Sequence, residues 1–327
     1  MKKMLEQQEK LWDFDAVVPG QAGGATVVEI TAQNIAEYAR LSQNADPRYQ
    51  EGRDGAMAMP TMILSYAPLL RERIAEANGF VALEQSTTAR RQTPFAKCEI
   101  RWRHPVSAGD TITASRRVLE KYERRGSKFV TFRVESLNQD GVTVGEYDYT
   151  CIFEYAKGQR EIPEPSATAR TLETPAVNAA PASHILGFED VAEGLLLPSL
   201  PVTESQETIN AKSEFRLDGS VSASNIHTDE EFARQNIFGG TVNSGPATMS
   251  YVDQTLQLAF PLEAFYNGGS LLMRAITPFR SGDTVTFQGE VSTKRQEGSH
   301  GVVECRVKGT NQRGELVCLA DASMVFA

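Results

Sequence analysis

Paired cysteines are missing from this sequence. Its four cysteines, Cys98, Cys151, Cys305 and Cys318, form no C-x-x-C pair. His104 and His300 are the histidines nearest to them, and each accompanies a lone cysteine. That spacing excludes the usual zinc and redox motifs, so no metal is expected. Each cysteine falls in a strand-like stretch and reads as a small buried core residue. Long apolar runs are absent too, since none reaches the roughly 18–20 residues of a membrane span. The N-terminal MKKMLEQQEKLWDF has no apolar signal core, because Glu6, Gln7, Gln8, Glu9 and Lys10 interrupt it. A cytoplasmic location is expected. Positive charge is also short, with 33 Lys and Arg against 42 Asp and Glu, a net charge of −9. Nucleic acid and anionic membranes therefore have no general attraction to it, and an anionic ligand needs a local basic pocket. No phosphate loop, dinucleotide glycine motif, Ser-His-Asp order or Cys-His nucleophile pattern is present.

What is present is repetition. A Pro/Ala/Thr-rich segment at 161–184 reads as an exposed linker between units at 1–160 and 185–327. Phe14–Gly20 (FDAVVPG) resembles Phe188–Gly194 (FEDVAEG). His104–Thr113 (HPVSAGDTIT) matches Thr277–Thr286 (TPFRSGDTVT), each Gly-Asp a turn feeding an alternating strand. Asn138-Gln139-Asp140-Gly141 and Asn311-Gln312-Arg313-Gly314 are hairpin turns at matching places. Ahead of its strands each half carries an apolar helical stretch opened by proline, Pro60–Ala77 and Pro246–Phe260. Helices this apolar must be buried. Each half thus reads as strand, short helix, loop, buried helix, then about four long antiparallel strands. The expected fold is α+β, a double hot-dog in which each sheet wraps a buried helix and the halves pair as a pseudo-dimer. Such a pseudo-dimer can stand alone or pair again as a homodimer.

The stretch SVSASNIHTDEEFA, followed by FGG and NSG, resembles the MaoC-like dehydratase and R-specific enoyl-CoA hydratase family. That family's motif runs roughly S-G-D-x-N-P-I-H, then an acidic helix and a glycine. In the first half, SQNADPRY and AMAMPTM are similar to the non-catalytic half of its tandem members. The resemblance implies an acyl thioester as substrate, on coenzyme A or a carrier arm, and no further cofactor. Of the polar motif positions that do chemistry, only His227 keeps its identity. Ser222 stands at the aspartate position, Ser224 at the asparagine position and Asn225 at the proline position.

The resemblance casts His227 as the general acid/base and the Gly245 N–H, at a helix start, as donor to the thioester oxygen. The alternative for His227 is a polar residue ahead of a helix capped by Thr228. Ser222 or Ser224 would orient water. The missing charge would come from Asp229, or from Asp253 on the buried helix. Asn243 and Ser244 are candidate donors to a substrate carbonyl. Coenzyme A phosphates would draw on Arg274 and Arg280, with Lys294 and Arg295 nearby. Met57, Met59, Met62 and Leu64 suit an adaptable acyl pocket. The leading expectation is an enoyl-thioester hydratase/dehydratase. A thioester-binding protein without that activity, or a related cyclisation, isomerisation or hydrolysis, stays open.

Overall fold

The computed structural model describes residues 9–51, 55–158, 185–221 and 224–327. The linker expected at 161–184 lies outside the described residues. The first half contains β1 (Leu11–Trp12), β2 (Ala22–Glu29), α1 (Ala32–Leu41), α2 (Ile63–Tyr66), α3 (Arg71–Ala77), β3 (Val81–Ala82), β4 (Phe95–Trp102), β5 (Thr111–Arg124), β6 (Ser127–Leu137) and β7 (Thr143–Glu154). The second contains β8 (Leu200–Thr203), α4 (Gln206–Glu214), α5 (Glu230–Arg234), α6 (Gly245–Gln257), α7 (Glu263–Tyr266), β9 (Ser270–Ala275), β10 (Thr284–Glu297), β11 (His300–Asn311) and β12 (Leu316–Phe326). Ten strands form one sheet in the order β2-β5-β6-β7-β4-β9-β12-β11-β10-β8. The two halves of this order mirror each other about the antiparallel β4–β9 pair. It is the double hot-dog arrangement expected from the repeat. Among the described residues no helix is long and apolar enough to cross a membrane.

The matched turns explain why the halves fold alike. Gly109 and Gly282 take φ of 99° and 85°, a region open to glycine at little cost. The following aspartate then caps each turn: Asp110 accepts the Ser107 N–H at 2.8 Å and Asp283 accepts the Arg280 N–H at 3.1 Å. In the two hairpins Asn138 and Asn311 each accept backbone N–H groups from the turn they open. All four cysteines are free and buried in strands.

The two central helices differ. α6 is continuous, and all of its residues except Pro246 are buried. The expected counterpart at Pro60–Ala77 is instead a short 3-10 turn, then α2, then α3. Pro68 causes the break, because it offers no N–H and crowds the carbonyl four residues back. Leu70 takes the left-handed conformation before α3 starts. The carbonyls released there find other donors. The Ala67 oxygen accepts the Tyr147 hydroxyl at 2.6 Å and the Pro68 oxygen accepts Arg116 Nε at 3.1 Å.

Candidate active site

A cavity of about 360 Å³ lies between the halves and is lined by both. The second half contributes His227, Asn243, Gly245 and the Ala275–Phe279 segment. The first half contributes Arg71, the Gln92–Ala96 segment and side chains of β6 and β7, among them Tyr149 and Ile152. Among the described residues no aspartate or glutamate lines it.

His227 is held by its backbone and its ring. Its N–H donates to Asn225 Oδ1 at 2.8 Å, and its carbonyl accepts Gln206 Nε2 at 2.7 Å. Ring Nδ1 lies 2.8 Å from the Val242 carbonyl oxygen. A carbonyl can only accept, so Nδ1 carries the proton and Nε2 keeps its lone pair. Burial pushes the pKa down to about 4, with Arg216 and Arg71 adding to the effect against the opposing pull of the Val242 carbonyl. At neutral pH the ring is therefore an uncharged base.

Gly245 opens α6, with Ser244 as N-cap accepting the Ala247 N–H at 3.2 Å. The first intrahelical donor from this cap is the Thr248 N–H. The Gly245 N–H thus has no acceptor within its helix and sits at the positive end of the helix dipole. A side chain at 245 would overlap the Phe95 ring, which packs on the glycine from the first half and contacts Tyr149 with centroids 5.0 Å apart. Glycine is needed here for close approach, with no demand from backbone conformation.

The other residues singled out from sequence fall elsewhere. Ser222 lies outside the described residues. Ser224 is exposed, bonds Asp229 with its hydroxyl, and receives Arg90 on its carbonyl. Asp229 accepts the Phe232 N–H at 3.0 Å and is the N-cap of α5, the place expected for Thr228. Its pKa is lowered chiefly by that backbone bond. Ser244 faces a smaller cavity on the other side of the α6 start, beside Lys212. Asp253 is fully buried and bonds the first half, accepting the Thr61 N–H at 3.0 Å and the Thr61 hydroxyl at 2.7 Å. Arg274 pairs with Asp321 at 2.9 Å on the sheet. Arg280 is buried and donates to the carbonyls of Thr241 (3.2 Å) and Phe238 (2.5 Å), fixing the glycine-containing loop. Arg295 pairs with Glu297 and Glu304, and Lys294 lies over the Phe188 ring. Met59 and Met62 are core residues, and none of Met57, Met59, Met62 and Leu64 lines the large cavity.

Asn243, a candidate donor to the substrate, lines the cavity with its amide committed elsewhere, and the partners that hold it have no signal in the sequence. Asn243 donates at 2.8 Å to Glu204, a buried carboxylate that also accepts the Tyr251 hydroxyl. Lys212 donates to the same hydroxyl at 2.9 Å, and burial pushes its pKa down to about 8. Burial likewise raises the Glu204 pKa. This network anchors the chain between Val242, which holds His227, and Gly245. Arg71, Gln92 and Phe95 reach the cavity from the other half. Among the described residues no group of three His, Cys, Asp or Glu side chains is placed to hold a metal.

Residues 205–312 match the MaoC like domain, and residues 18–147 match the FAS1-like dehydratase domain region. The second half thus carries a MaoC-like domain and the first a FAS1-like dehydratase region on a double hot-dog fold, which supports a hydratase or dehydratase of the hot-dog type. Solved structures agree on the fold. A MaoC-like dehydratase superposes with a TM-score of 0.67 at 16% identity, covering 94% of this chain and 99% of its own. A MaoC-like dehydratase from Phytophthora capsici gives 0.60 at 14% identity, covering 95% and 97%. A Mycobacterium tuberculosis protein described as having a double hotdog fold gives 0.59 at 14% identity, covering 96% and 98%. No curated protein sequence matches the chain.

Proposed function

We propose that the protein adds water to an α,β-unsaturated acyl thioester, or removes it from the 3-hydroxyacyl form, with coenzyme A or a carrier arm as the thiol. The observation that carries this reading is one cavity wall holding both an uncharged imidazole and a free helix-start amide. In hydration the water oxygen bonds to Cβ as His227 Nε2 takes its proton. The π electrons move onto the thioester oxygen, where the Gly245 N–H stabilises the charge. His227 then returns the proton to Cα, so the elements of water are added and the base is restored. Dehydration is the reverse.

The test is turnover of a panel of enoyl- and 3-hydroxyacyl-CoA esters by wild type and His227→Ala. General acid–base catalysis contributes roughly 10²–10⁴-fold, so the variant should lose at least about 100-fold. Unchanged turnover would remove His227 from the mechanism. The carboxylate-free lining favours a second reading, a thioester-binding protein without hydration. Tight binding of every ester with none consumed would support it, and release of free thiol would point to hydrolysis.

A further inference from the structure

We propose that Gln92 holds the reacting water together with His227, taking the part of the carboxylate that the His227 loop lacks. This rests on the hydration reading above. Gln92 lines the same cavity as His227, and its Oε1 is buried with no hydrogen-bond partner. An unpaired buried acceptor costs about 1–3 kcal/mol, and most native proteins avoid it. Here the neighbours are fully committed while this amide is not. Two residues earlier, Arg90 donates to the Ser224 carbonyl and hydroxyl and lies 4.0 Å over the Phe232 ring. One residue later, the Thr93 N–H donates to Glu84 at 3.1 Å and its carbonyl accepts Arg71 at 2.7 Å. The segment 90–93 is therefore clamped onto the histidine loop at one end and onto α3 at the other. Arg71 also lies near enough to act on the His227 charge.

The chemistry fits an acceptor at this place. A water between the halves can donate one proton to His227 Nε2 and the other to Gln92 Oε1, leaving its lone pair free to meet Cβ. An amide oxygen does not take a proton at neutral pH. Gln92 therefore orients the water while His227 alone accepts its proton and passes it on to Cα. A neutral orienting group also suits this cavity, because the Arg71 that lines it is already paired with Glu84 at 3.2 Å.

The experiment measures enoyl-CoA hydration by the full chain as wild type, Gln92→Ala and Gln92→Glu, with thermal unfolding of each. Gln92→Ala should lower kcat roughly 10- to 100-fold, the scale of a lost positioning contact, with KM little changed. Its Tm should hold or rise, because no bond is removed. Gln92→Glu should keep kcat within a few-fold of wild type at neutral pH and add an acid limb that wild type lacks. Wild-type kcat in Gln92→Ala overturns the proposal, as does a rise in KM alone, which would make Gln92 a substrate contact. A kcat loss matched by a fall in Tm, with no rescue by glutamate, also overturns it. If wild type hydrates no enoyl-CoA, the underlying reading fails first and this inference with it.

Discussion

His227 is unusual among histidines in having its charge suppressed while one nitrogen stays free. With a pKa pushed down to about 4, the ring stays a competent base well below neutrality. Hydration should run at pH 5 within about twofold of its rate at pH 7. A base with the ordinary value near 6.5 would be roughly 25-fold slower at pH 5, so the comparison of kcat/KM at these two pH values decides the matter. The same burial acts on stability. Between pH 6.5 and 4 the unfolded chain takes up a proton that the folded ring refuses, so stability is lost as pH falls through that window. For this one group the loss is about 3 kcal/mol. The placement of His227 and Gly245 at one cavity was legible because their surroundings are local: a loop, a cap and a helix start in one short stretch. The sequence alone puts the cap at Thr228 and leaves Asp229 as a candidate catalytic carboxylate, yet the Phe232 N–H bond makes Asp229 the cap of α5. Gln92 and Phe95 carry no motif and come from the opposite half, so nothing in their neighbourhood announces a site.

At the scale of elements, the two central helices show what a repeat conceals. Pro246 stands in the first turn of α6 as expected, whereas Pro60 opens only a 3-10 turn, and Pro68, in plain view within the same stretch, breaks the rest. The break matters to the site, because it starts α3 at Arg71 on the cavity wall. α6 is unbroken and must instead satisfy the polar groups along its buried length. Asp253 does so by accepting from Thr61 across the halves and from Gln257 Nε2, one turn along its own helix, at 2.7 Å. Burial nevertheless raises its pKa to about 6. As pH falls below 6 the folded state takes this proton before the unfolded chain does, so the burial penalty is relieved. Asp253→Asn removes that titration. The stability difference between wild type and Asp253→Asn should move in favour of wild type by about 2 kcal/mol between pH 7 and pH 4.5. Denaturant unfolding of both at the two pH values measures it, and a difference independent of pH would show that the carboxyl is already protonated or freely solvated.

At the scale of the whole molecule, the repeat made two similar sheet-wrapped units legible, while the continuity between them was not. β4 and β9 pair in the centre of one ten-stranded sheet, Cys98 opposite Met273 and Ile100 opposite Leu271, with these four side chains fully buried. No turn or motif marks that junction, because the pairing is set by two strands about 170 residues apart that each present an apolar face to the helices. The cavity and the Thr61–Asp253 contact cross the same boundary. Together they argue that the halves unfold as one cooperative unit. The sequence supplies a reporter for this, since both tryptophans, Trp12 and Trp102, lie in the first half. Phe287 is fully buried in the second half, with its ring 5.6 Å from that of Tyr251. Phe287→Ala should cost about 3–5 kcal/mol. If the sheet couples the halves, tryptophan emission and far-UV circular dichroism will shift to the same lower denaturant midpoint in this variant. A tryptophan midpoint that stays at the wild-type value while the dichroism splits into two transitions would mean that the β4–β9 ladder joins two independently stable units.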